Sequence, residues 1–120
     1  MLSNVLIIDK RKELSVKYKK SIEDAETTAI IQRNLKDALH YIQFAEPDII
    51  IISDSLEEKL AMLCDKIRAL TYNTRPVIIA LSKSADSVDR IEVLESGADD
   101  FLSEPVNIDE FKMRIKAHLR

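Results

Sequence analysis

The sequence predicts an α/β fold, a five-stranded parallel sheet, doubly wound, with helices on both faces. Two observations carry that prediction. Short apolar blocks alternate strictly with amphipathic stripes along all 120 residues. The blocks are also mostly aliphatic or β-branched, without the in-out polarity of a half-exposed strand, so each reads as a strand buried on both faces. Strands separated by helical stripes and short connections pair in parallel through right-handed crossovers, which puts helices on both sides of the sheet.

The elements follow in order. Val5-Leu6-Ile7-Ile8 is the first strand, and Leu14, Tyr18 and Ile22 line the first helix. Ala29-Ile30-Ile31 is the second strand, followed by a helix with Leu35, Ala38, Leu39 and Ile42 on one face. The four isoleucines 49–52 form the third strand, and Leu60, Leu63, Cys64, Ile67 and Leu70 the next stripe. Residues 77–81 and Phe101-Leu102 are the last two strands; between them Val88, Ile91 and Leu94 recur at helical spacing, and Ile108, Phe111, Ile115 and Leu119 close the chain. Ser55 with Glu58, and Asn107 with Glu110, have the spacing of capping boxes at helix starts.

Composition narrows the function classes. The length suits one domain with its own core, residues 1–120. Eighteen Lys and Arg against twenty-one Asp and Glu give a net charge of −3 with the signs interspersed, so no basic patch predicts direct nucleic-acid contact. No apolar run approaches the ~18 residues of a membrane span, and the first residues lack the pattern of a signal peptide. A lone Cys64 within an apolar stripe reads as a buried structural thiol, and the expected compartment is the reducing cytoplasm. The last stripe reaches Arg120 without a stop signal, which predicts an N-terminal module of a longer chain whose output domain lies beyond it.

In a doubly wound sheet the functional crevice lies at the carboxyl ends of the strands. The residues there are Asp9, Lys10, Ser53, Asp54, Ser82 and Glu104. His40 and His118 have no cysteine or carboxylate partners at ligand spacing, so neither metal nor cofactor is expected. A nucleophilic Ser53 would need a histidine base, and neither histidine is near a strand end. An enzyme is therefore not expected.

Val5-Leu6-Ile7-Ile8-Asp9, Pro47-Asp48 before the four isoleucines, Ser82, and Gly97-Ala98-Asp99-Asp100-Phe101-Leu102 with Pro105 occur in the order of a known family. Over nearly its whole length the chain resembles the receiver domain of bacterial two-component response regulators, a flavodoxin-like fold. The resemblance implies two acids after the first strand and an aspartate after the third, which hold Mg²⁺ and accept a phosphoryl group. It also implies a serine or threonine after the fourth strand and a lysine after the fifth, which contact the phosphate. Asp9 and Ser82 match, whereas Lys10, Ser53 and Glu104 depart. Phosphoryl transfer depends on positioning and charge neutralisation. Lys10 repels a metal, Glu104 repels phosphate, and Ser53 cannot form an acyl phosphate, so the expectation is a pseudo-receiver. Lys10 is expected to pair with Asp9 or Glu104 across the crevice and to replace the missing metal.

Asp54, next to Ser53, is the alternative phosphoacceptor, although the Pro47-Asp48 spacing puts Ser53 at the acceptor position. A small flavodoxin-like enzyme or ligand-binding domain is the third reading. Phe101 matches the family's switch aromatic. Arg90, Asp99, Asp100, Glu110 and Arg114 resemble the ion-pairing set of the winged-helix transcription-factor branch, which implies a dimer face centred on Val93 and the fifth helix. The expected partners are thus proteins: a second copy, an attached output domain and a histidine kinase.

Overall fold

A computed structural model describes residues 2–84 and 86–120. The elements alternate as β1 (Ser3–Ile8), α1 (Lys12–Ile22), β2 (Thr27–Gln32), α2 (Leu35–Ala45), β3 (Ile49–Ser53), α3 (Leu60–Leu70), β4 (Val77–Ser82), α4 (Ser87–Glu95), β5 (Asp100–Ser103) and α5 (Ile108–Leu119). All strand pairs are parallel, in the order β2-β1-β3-β4-β5. The predicted fold class is the observed one.

The two-residue period of each strand divides the core into two halves. Val5, Ile7, Ile49, Ile51, Ile79, Leu81 and Leu102 pack with Tyr18 and Ile22 of α1 and with Phe111 and Ile115 of α5. Leu6, Ile8, Ile50, Ile52, Ile78, Ala80 and Phe101 pack with α2, α3 and α4. Strands β1, β3 and β4 therefore need apolar residues at every position, which is why their sequence blocks show no polar alternation. Cys64 lies in the second half with no exposed surface, and burial pushes its thiol up to about 12.

Three local expectations require correction. The Asn107 side chain caps α5 by accepting from the Glu110 N–H at 3.0 Å, but Ser55 caps nothing. Helix α3 begins later, after Lys59, and the Ser55 hydroxyl is drawn into the crevice instead. In α4 the apolar stripe faces outward: Val88 and Ile91 are 66% and 54% exposed, while Val93 is buried at 4%. Two stripes at spacing three compete on this nine-residue helix. The sheet takes the one in which the Arg90 guanidinium covers the Phe101 ring at 5.1 Å and Val93 fills the core. Val93 therefore cannot centre a dimer face.

The turn from α4 to β5 rests on Arg68. Its guanidinium donates to the Gly97 carbonyl at 2.7 and 3.2 Å, to the Pro76 carbonyl at 2.7 Å and to the Asp99 carboxylate at 2.9 Å. Gly97 has φ +120°, a conformation that side chains disfavour, and a Cβ there would stand 3.1 Å from the Arg68 Cβ. Asp99 Oδ2 also accepts from the Ile78 N–H at 2.9 Å, so this residue belongs to the fold and not to an outward ion-pairing set.

Candidate functional site

Strand alternation sorts the strand-end residues into two groups. Asp9, Ser53 and Glu104 lie two residues beyond Ile7, Ile51 and Leu102, so they continue the side that carries α1 and α5. Asp54 and Ser82 lie two residues beyond Ile52 and Ala80 and continue the side of α3 and α4. The crevice thus contains two adjoining polar clusters.

The first cluster is organised by Arg11, which precedes α1. Its Nε donates to Asp9 Oδ1 at 2.9 Å and its Nη2 to Asp9 Oδ2 at 2.9 Å. Its Nη1 and Nη2 donate to the two carboxylate oxygens of Glu104 at 3.0 and 2.9 Å. A planar guanidinium fits this arrangement because it presents parallel donors to two carboxylates at once, which an ammonium cannot. The Tyr18 hydroxyl adds a donor to Glu104 Oε2 at 2.5 Å, and the Tyr18 ring stacks 4.8 Å from Phe111. The carboxylates have almost no exposed surface, 1% for the Asp9 side chain and 3% for that of Glu104.

Arg11 is held firmly protonated, first by its hydrogen bond to Asp9, against the opposing effect of burial, and then by Glu104. Burial raises the Tyr18 phenol, and its bond to Glu104 raises it further, so it remains a donor. Arg33 fixes the loop beneath. Its Nη1 donates to the carbonyls of Asp9 and Arg11 at 3.1 Å each and to the Ser15 hydroxyl at 2.6 Å. Ser55 completes the group, with its hydroxyl 2.6 Å from Ser53 Oγ and donating to Asp9 Oδ1 at 3.1 Å.

Lys10 does not take the role expected of it. It is one residue out of phase with Asp9, leaves the crevice, and has Nζ 3.6 Å from an exposed Glu57. Arg11, one position further, makes the cross-crevice pair. The sequence carried a signal for this: an arginine two residues after an aspartate can close a local turn, here through the Arg11 N–H to Asp9 Oδ1 at 2.8 Å, and still reach forward with its long side chain.

In the second cluster Asp54 Oδ2 accepts from the Ser82 hydroxyl and from the Lys83 N–H, both at 2.9 Å. Ser82 Oγ in turn accepts from the Ser84 N–H at 3.0 Å. These residues border an open cleft of about 280 Å³ between α3 and α4 that the Phe101 ring also lines. Ser53 and Ser82, neighbours in the expected pocket, have separate partners.

The charges expected on a dimer face pair within the chain. Arg114 donates to both oxygens of Asp100 at 2.8 and 3.0 Å and lies 3.4 Å from Glu110. His118 Nε2 is 3.1 Å from Asp100 Oδ2, and Arg90 reaches Ser103 Oγ at 3.3 Å. Burial acts to raise the Asp100 carboxyl, but its bonds to His118 and Arg114 prevail and hold it below the ordinary range.

Among the described residues no three His, Cys, Asp or Glu side chains converge as a metal-binding group. The Mg²⁺ that the receiver resemblance implies does not fit the residues present. Asp9 is committed to Arg11 and Ser55, the position of the second acid is Lys10, and Ser53 offers only a hydroxyl. No helix among the described residues is long and apolar enough to cross a membrane.

Comparison with known proteins agrees with this architecture. Residues 5–116 match the model of the response regulator receiver domain. Histidine kinase P4 of Formosa agariphila is 31% identical over 115 residues, covering 95% of this chain and 8% of that protein. Regulatory protein VanR of Enterococcus faecium is 31% identical over 121 residues, covering 100% of this chain and 51% of VanR. A two-component response regulator from Clostridium difficile, known from a crystal structure, has a TM-score of 0.89 and 28% identity, covering 98% of this chain and 96% of that one. The chain thus spans about half the length of VanR and a small part of the kinase. With five parallel strands, matching elements at both ends and a family match across nearly every element, the chain belongs to the response regulator receiver domain family.

Proposed function

We propose that this receiver domain is a pseudo-receiver, which does not cycle through an aspartyl phosphate and works by protein association in the cytoplasm. The observation that carries the reading is the Arg11 guanidinium hydrogen-bonded to both Asp9 and Glu104. A metal ion entering beside Asp9 would have to displace a bidentate guanidinium. A phosphoryl group would approach the Glu104 carboxylate in place of a lysine. Neither step gains the charge neutralisation that phosphoryl transfer requires. The domain then holds an attached output domain in one state, with a histidine kinase or a second copy as further partners. Because Arg114, Asp100 and Glu110 already pair in cis, an associating face would draw on the exposed Val88 and Ile91 of α4 rather than on those charges.

A second reading has its own observation. Asp54 is half-buried and is bonded to the Ser82 hydroxyl, which makes it the available carboxylate on the α3–α4 side of the crevice. Incubation with acetyl phosphate and Mg²⁺, followed by intact-mass measurement, separates the two. The pseudo-receiver reading expects no added mass. A stoichiometric gain of one phosphoryl group that disappears in Asp54→Ala would overturn it and establish Asp54 as the acceptor.

A further inference from the structure

Strand β2 forms one border of the sheet, and its sequence Thr27-Thr28-Ala29-Ile30-Ile31-Gln32 contains no charge or proline. An uncharged edge strand of this kind pairs readily with another strand. The Glu26 and Gln32 carbonyls accept from the Ser3 and Asp9 N–H groups, so the even-numbered residues turn their backbone groups to β1. Thr27, Ala29 and Ile31 therefore turn theirs to the open side.

Those outward groups are occupied by side chains from the end of α1. Lys19 Nζ donates to the Ala29 carbonyl at 2.6 Å, and Glu23 Oε2 accepts from the Ala29 N–H at 3.3 Å. The two side chains pair with each other at 2.8 Å. The Thr27 carbonyl accepts from the Asp24 N–H at 3.2 Å. Among the described residues no acceptor faces the Ile31 N–H.

We infer that β2 is a latent self-pairing edge and that the Lys19–Glu23 pair holds it closed. The occupant it excludes is β2 of a second copy of this chain. A twofold axis through Ala29 would set Ala29 against Ala29 and Thr27 against Ile31 as hydrogen-bonded pairs, with Ile30 against Thr28 between them. Ile30, 39% exposed, would gain an apolar contact, and no like charges would meet. The groups needed at the centre of that pairing, the N–H and carbonyl of Ala29, are the two that Lys19 and Glu23 hold.

The test uses sedimentation equilibrium on the wild type, on Lys19→Ala/Glu23→Ala, and on the charge swap Lys19→Glu/Glu23→Lys. The swap keeps the ion pair but sets an acceptor at the carbonyl and a donor at the N–H, so it cannot close the edge. Both double variants are expected to self-associate about tenfold or more tightly than the wild type, and adding Ile30→Lys is expected to reverse the gain. A swap that behaves as the wild type would reduce the pair to a surface charge effect, and a gain that survives Ile30→Lys would place the contact elsewhere; either result overturns the inference. Amide exchange in the unmodified protein gives an independent reading. The Ala29 N–H is expected to exchange about tenfold more slowly than that of Ile31, since only the first has an acceptor, and equal rates would refute the closure.

Discussion

Replacing Arg11 with alanine should be among the most damaging single changes at the crevice. The substitution removes four side-chain hydrogen bonds and leaves two carboxylates facing each other with side-chain exposures of 1% and 3%. Removing one partner of a buried ion pair costs about 3–5 kcal/mol, because the remaining charge is desolvated and uncompensated. With an m-value of about 2 kcal/mol/M in urea, a loss of about 4 kcal/mol moves the unfolding midpoint down by about 2 M. Arg11→Lys should recover part of that loss, since an ammonium restores the charge but cannot hold both carboxylates in fork geometry. Lys10→Ala, one residue away, is the control. Its ion pair, 3.6 Å to Glu57, is exposed on both sides, so the expected change is about 0.5 kcal/mol or less. The assay is urea denaturation followed by circular dichroism on the three variants and the wild type. Equal midpoints for Arg11→Ala and Lys10→Ala would refute the buried fork, because the two neighbours would then share one environment.

Two further outcomes follow from other sites. The Asp100 carboxyl is held below its ordinary range, so it stabilises the fold above that range and loses the contribution as pH falls through its folded value; in acid titrations of stability, Asp100→Asn should be less stable than the wild type at neutral pH, with the gap starting to narrow only below about pH 4 and closing at more acid pH. Gly97→Ala should cost about 1–3 kcal/mol in the same denaturation assay, because φ +120° and the 3.1 Å approach to Arg68 Cβ both penalise a side chain; a midpoint unchanged from the wild type would show that the turn relaxes freely.

The central strands β1, β3 and β4 were legible because burial on both faces leaves an unbroken apolar run; the edge strands β2 and β5 keep shorter runs, and all five appear as strands of the sheet. What the sequence obscured was phase. Lys10 and Arg11 are adjacent cations after the same strand, and composition cannot tell which of them turns inward; alternation along the chain and the reach of the side chain decide it. Helix α4 presented the same difficulty, since Val88, Ile91 and Leu94 form a regular stripe but it is Val93 that the sheet covers, with the exposed Arg90 lying over Phe101. Ser55 had the spacing of a cap and a better partner in Asp9, a contact 46 residues away in sequence. Local patterns compete with tertiary hydrogen bonds, and the tertiary bond prevailed here. The strand ends proved the right place to look, yet Tyr18 and Arg33 reach the crevice from a helix and a neighbouring loop, beyond what strand-end positions reveal.

The arginine fork also constrains the mutational routes open to this sequence. Changing Glu104 to lysine while Arg11 remains would set two cations over a single buried Asp9, and removing Arg11 while Glu104 remains would strand two anions. Each single step carries about 3–5 kcal/mol of unpaired buried charge in a domain whose total stability is on the order of 5–15 kcal/mol. Positions 11 and 104, separated by 93 residues in the chain, therefore change favourably only as a pair. The fork thus opposes charge-changing substitution at either end taken alone.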